Sequence, residues 1–104
     1  MNSESRIQTT GKTISKPNID ELVLAGIELE MVLDYQAVGT GYFHIYVKHN
    51  NGKVVRQVYT QRNIPRKFRD LHRALDWGKS LGFKRIEFDL DFENYIPQKK
   101  VTED

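Results

Sequence analysis

The sequence predicts an α+β fold: a four-stranded, mostly antiparallel sheet in the order α-β-β-β-α-β, with one main helix packed on one face. Three observations predict it. Apolar and polar residues alternate over 27–38, 42–48, 54–61 and 86–92, the period of half-buried strands. Between 65 and 81 the apolar residues recur at helical spacing instead. Two of the strands are separated by Asn51-Gly52, a pair that tolerates the positive φ angles of a tight hairpin.

Residues 1–17 are polar, without periodicity, and read as a flexible N-terminal tail. Residues 18–96 read as a single α+β domain and 97–104 as a flexible C-terminal tail. A short helix is expected from Asn18, which resembles the start of a capping box with Glu21. Gly26 stands where a left-handed terminating residue belongs. In the first strand, Ile27, Leu29, Met31, Leu33 and Tyr35 share one face, and Glu28, Glu30, Asp34 and Gln36 the other. Gly39-Thr40-Gly41 turns the chain into the second strand.

With Asn51-Gly52 as the turn, Lys48 faces Val55, Tyr46 faces Gln57, His44 faces Tyr59 and Tyr42 faces Gln61. Phe43, Ile45, Val47, Val54, Val58 and Thr60 then form the core face. The outer face gathers Tyr42, His44, Tyr46 and Tyr59. Pro65 suits the first position of a helix, and Phe68, Leu71, Ala74, Leu75, Gly78 and Leu81 form its buried stripe. Gly82 ends it. In the last strand Ile86, Phe88, Leu90 and Phe92 point inward, with Glu87, Asp89 and Asp91 outward. A crossover brings this strand parallel to the third strand's direction and beside the first.

A chain of 104 residues with 38% hydrophobic and 29% charged residues has room for one modest core. The absence of cysteine excludes disulfides, thiol nucleophiles and thiolate metal sites. No Gly-x-Ser-x-Gly turn or Gly-rich phosphate loop is present. His44, His49 and His72 lack a metal-ligand spacing, and Glu87, Asp89 and Asp91 read as a solvated strand face. No enzyme activity, cofactor or resident metal is therefore expected. No apolar run reaches the roughly 18 residues of a membrane span, and the first residues lack a secretory apolar core. No membrane partner is expected, and the cytoplasm is the default location.

Charge is laid out in blocks. Residues 41–85 hold eleven Lys and Arg against Asp70 and Asp76, between acidic flanks that bring the whole chain to +2. Arg62, Arg66, Lys67, Arg69 and Arg73 cluster where the main helix is expected to start, with Gln57, Gln61 and Asn63 beside them. Lys48, Lys53 and Arg56 on the hairpin extend the track. Such cations could be solvating charges partly paired to Asp70 and Asp76, but at a positive helix end they do not help the helix, which hints at an outside anion. The leading expectation is a non-catalytic nucleic-acid or other polyanion binder using Arg56, Arg62, Arg66, Lys67, Arg69 and Arg73 on phosphates. Tyr42, His44, Tyr46 and Tyr59 are the stacking or interface candidates. The alternatives are a protein-interaction or self-assembling adaptor that pairs through the open sheet face or last strand, and a small-ligand binder on the tyrosine face. The hairpin, third strand and helix loosely resemble, in shape alone, three-stranded-sheet-plus-helix DNA-binding modules.

Overall fold

The computed structural model describes residues 7–37 and 41–97. The expected tail after 97, residues 1–6 and the turn residues 38–40 lie outside them. The elements run α1 (Lys16–Leu24), β1 (Glu30–Gln36), β2 (Tyr42–His49), β3 (Val54–Gln57), β4 (Lys67–Phe68), α2 (Leu71–Leu81) and β5 (Arg85–Asp89), with a 3-10 turn at Phe92–Asn94. The fold is α+β, as expected, but the sheet is mixed and has five strands. Its order is β3-β2-β1-β5, and β4 also pairs with β2. β5 lies parallel beside β1, where the crossover was expected to put it.

The hairpin register is the one the turn dictates. Tyr46 opposes Gln57 and Lys48 opposes Val55. Asn50, Asn51 and Gly52 all have positive φ, the backbone that closes such a turn. Alternation then places Leu29, Met31 and Leu33 with Phe43, Ile45, Val47 and Val58 in one buried cluster. Both helices close this face. Ile19 of α1 and Ala74 and Leu81 of α2 are buried in the same cluster. Each fully buried aliphatic chain contributes about 1.5–3 kcal/mol. Gly78 lets α2 approach closely, since a Cβ there would stand 2.6 Å from Met31 Cε.

Four expectations are corrected. The first concerns residues 1–17. Thr10 N–H donates to Val55 O at 2.7 Å and Ile14 N–H to Gln57 O at 2.9 Å, so this stretch is strapped along the outer edge of β3. Ile14 is 1% exposed, a core residue that a polar context hides from periodicity. The second concerns α1. It starts at Lys16, after Ser15, whose N–H and hydroxyl both donate to Asn18 Oδ1. Gly26 does adopt the left-handed backbone, with φ +83°.

The third concerns the stretch after β3. Continued, the hairpin register would oppose Phe43 to Thr60; Phe68 stands there instead, eight residues further on. The intervening chain folds out as a small second hairpin, here called the finger. Arg66 N–H donates to Val58 O, Tyr59 bridges Pro65, and Thr60 N–H donates to Ile64 O at 2.7 Å. The tip is Gln61-Arg62-Asn63, and Asn63 has φ +67°, as a three-residue loop with a left-handed last position requires. Pro65 therefore sits in a strand bridge, not in a helix. α2 starts at Leu71, capped by Asp70, whose carboxylate accepts from His72 N–H at 2.8 Å.

The fourth concerns β5. It ends at Asp89, and its inward residues are not fully covered: Ile86 is 38% and Phe88 45% exposed. Phe92 belongs to the 3-10 turn rather than the strand. The strap yields a test. Ile14→Ala is expected to cost about 3 kcal/mol, within the range for truncating a fully buried aliphatic residue. Urea denaturation measures it, and an unchanged midpoint would mean that the strap is not part of the folded unit.

Candidate nucleic-acid interface

The basic block divides into two groups at opposite ends of β2. At the hairpin end Arg56 and Lys48 are already engaged, while Lys53 is exposed in the turn. Arg56 donates from Nε to Lys12 O at 2.9 Å and from Nη2 to Thr13 O at 3.0 Å, so it holds the strap. Lys48 reaches across β1 to Glu87 of β5 at 2.9 Å, and this bond raises the Lys48 pKa. These two are withdrawn from the expected phosphate track.

At the finger end the cations are less committed. Arg62 occupies the exposed tip. Arg66 lies at the root, its guanidinium carbon 5.3 Å from the ring centres of both Phe68 and Trp77. Its Nε is buried without a hydrogen-bond partner. Lys67 on β4 places Nζ 4.5 Å from the Tyr42 ring centre. Arg69 follows on the exposed approach to α2, and Arg73 is exposed in its first turn. Among the described residues, no carboxylate forms a salt bridge with Arg62, Arg66, Lys67 or Arg73. The helix terminus is not the anchor that the sequence suggested. Asp70 occupies its donor, and Arg66, Lys67 and Arg69 precede the helix.

The tyrosine face is also rearranged. His44 opposes Lys67, not Tyr59. Tyr59 has left the sheet with the finger. Tyr46 is 3% exposed, and Lys67 caps Tyr42. What remains is a face of mixed charge, with Glu30, Asp34 and Gln36 on β1 opposite Lys48, His44 and Tyr42 on β2. Asp34 itself is buried and accepts from Gln36 Nε2. Of the four stacking or interface candidates, Tyr42 and His44 stay partly exposed on this face. The acidic ladder of the last strand is broken too, because Asp91 turns away to accept from Glu93 N–H and Asn94 Nδ2.

Sequence reasoning missed two neighbours of the finger. Lys16 was assigned to the tail, and Trp77 carries no signal beyond its place on a helix. Both line a cleft of about 310 Å³ with Tyr59, Thr60, Gln61 and Arg66. No group of three or more His, Cys, Asp or Glu among the described residues is placed to hold a metal ion. None of their helices is long and apolar enough to cross a membrane. No protein-family model, curated protein or solved structure matches the chain.

His44 reports on this end of the sheet. Burial pushes its imidazole below the usual value, Asp34 opposes that shift, and Lys67 adds to it. Burial lowers His49 as well, helped by Arg56. The unfolded chain, with histidines near about 6.5, binds these protons more readily than the fold does. Stability is therefore full above that value and falls as pH drops through it toward the folded pKa values. Urea midpoints at pH 7.5 and 5.5 are expected to show the fold weaker at the lower pH. In an NMR titration Lys67→Met should raise the His44 pKa, because it removes a cation. An unmoved value would separate Lys67 from this site.

Proposed function

We propose that the chain is a small, non-catalytic nucleic-acid-binding protein that holds phosphates at the finger end of its sheet. One observation carries the reading. The chain leaves the sheet for eight residues, and the finger and its return strand present Arg62, Arg66 and Lys67 without carboxylate partners among the described residues. A loop that interrupts a strand only to rejoin it adds nothing to the ladder, and loops set on a rigid scaffold are where binding residues concentrate. Arg73, with Arg69 before it, continues the arc. Cations without carboxylate partners are available to a phosphate backbone. Arg56 is left out of the set, and Tyr42 and His44 are the remaining face residues for stacking.

The reading is tested by oligonucleotide binding at several salt concentrations. Replacing Arg62, Lys67 and Arg73 together by Glu should abolish binding, while single neutral replacements should each flatten the salt slope by about 0.7–0.9. Arg56→Gln should lower stability and leave the slope unchanged. Binding that survives the triple reversal would remove the proposal.

A second reading is favoured by a different feature. β5 is the last strand of the sheet among the described residues, and Ile86 and Phe88 on it are partly exposed. Apolar edge strands invite pairing with another chain, and a second copy supplies a matching strand. Light scattering should then find a concentration-dependent dimer that Phe88→Asp converts to monomer. A monomer at every concentration would dismiss this reading.

A further inference from the structure

The finger encloses more than a basic surface. The 310 Å³ cleft at its root lies between the start of α1 and Trp77 of α2, with Tyr59 and Arg66 in its lining. It runs into a shallower basin of about 400 Å³, and the two share Tyr59, Thr60 and Gln61. The deeper part is aromatic and cationic. The shallower part is lined by hydroxyl and amide side chains, including Thr13, Ser15 and Asn63. The outer groups are not all equally available. Ser15 and Asn18 bond each other, and Thr60 Oγ1 accepts from Arg62 and Ile64 N–H within the finger. Gln61 and Asn63 are exposed and make no side-chain hydrogen bond with the described residues. Lys16 lines the deeper part while paired to Asp20 at 3.3 Å. The buried Arg66 Nε–H still lacks an acceptor, which is costly for a group that always carries charge.

We infer that this groove holds an unpaired nucleotide of a bound single strand, its phosphate on Arg66 and its base against Tyr59 beside Trp77. The inference rests on the nucleic-acid reading above and narrows it to single strands. Three features favour that class. Tyr59, Trp77 and Arg66 line the cleft together, and arginine guanidinium planes and aromatic rings are the usual platforms for unstacked bases. Amide side chains at the rim match the Watson–Crick edge of a base, which pairing occupies in a duplex. The two elements that could enter a duplex groove are poorly suited: the hairpin's Lys48 and Arg56 are engaged within the fold, and α2 carries Asp76 among its exposed cations. The same base-and-phosphate chemistry could come from a free mononucleotide, so the experiment distinguishes the two sources.

Trp77 is the chain's only tryptophan, so its fluorescence reads the cleft directly. The full-length chain is titrated with an oligothymidylate, a blunt duplex and a thymidine 5′-monophosphate, with a fluorescently labelled oligonucleotide as an independent measure of binding. The oligothymidylate should change Trp77 emission saturably, and the duplex and mononucleotide should bind at least tenfold more weakly. Tyr59→Ala should cost about tenfold in affinity for the single strand, as removal of a base–aromatic stack does. Gln61→Ala, at an exposed position that does not threaten folding, should weaken it less. If the labelled strand binds while Trp77 emission stays flat and Tyr59→Ala changes nothing, the cleft assignment is overturned and the phosphate-binding reading stands. If the mononucleotide binds as tightly as the strand, the cleft belongs to a free nucleotide and the strand assignment is overturned. If no oligonucleotide binds even at low salt, both readings fall together.

Discussion

The architecture depends on one shared edge of β2. Two pieces of chain hydrogen-bond along it, β3 near the hairpin and β4 at the other end, and they are out of step by eight residues. The ladder passes from one to the other through Val58 N–H on Ile45 O, after which Phe68 takes the place opposite Phe43. That substitution places Phe68 5.8 Å from Trp77 and so joins the sheet to α2. Thr60 in the same position would bring a hydroxyl where the core wants a ring. The finger is the geometric remainder of this exchange. The residues that must be skipped have to go outward, and they carry the cations with them.

The electrostatic layout follows from the same arrangement. β5 returns beside β1, so its Glu87 comes within reach of Lys48, and acidic and basic segments far apart in sequence become neighbours on one sheet face. Such a partly exposed pair adds little stability. Its effect is on the distribution of charge, since it takes up Lys48 while no carboxylate among the described residues forms a salt bridge with Arg62, Arg66, Lys67 or Arg73. The strap has a similar consequence at the hairpin, where backbone carbonyls of Lys12 and Thr13 take up Arg56.

What was legible in the sequence was whatever a period or a turn dictates. Asn51-Gly52 set the β2–β3 register, the parity of Phe43, Ile45 and Val47 set the core face, and Gly82 marked the end of α2. Single residues without a repeating context were not legible. Ile14 is one apolar residue among Ser, Thr and Lys, and nothing local distinguishes it from a tail residue. Pro65 misled because it suits both a first helical turn and a bridge that needs no N–H. The stronger signal was Asp70, a good capping residue immediately before a run that keeps helical spacing. Of the candidate site, Arg62 and Lys67 were placed around the helix start, but they lie on the finger tip and on β4. The engagement of Arg56 was not legible either, because it depends on carbonyls 43 and 44 residues away, and no spacing rule sees that far.

The strap along β3 also limits how the molecule can associate. A sheet with two bare edges can add copies indefinitely, each new strand exposing another. Here the segment from Thr10 to Ile14 occupies one flank, and only the β5 flank is open among the described residues. In a pairing of two copies through that flank, the strap would lie along the outer side of β3 in each copy, where it occupies the backbone groups another strand would need. The five residues from Thr10 to Ile14, which look dispensable in the sequence, thus deny the β3 edge to another strand.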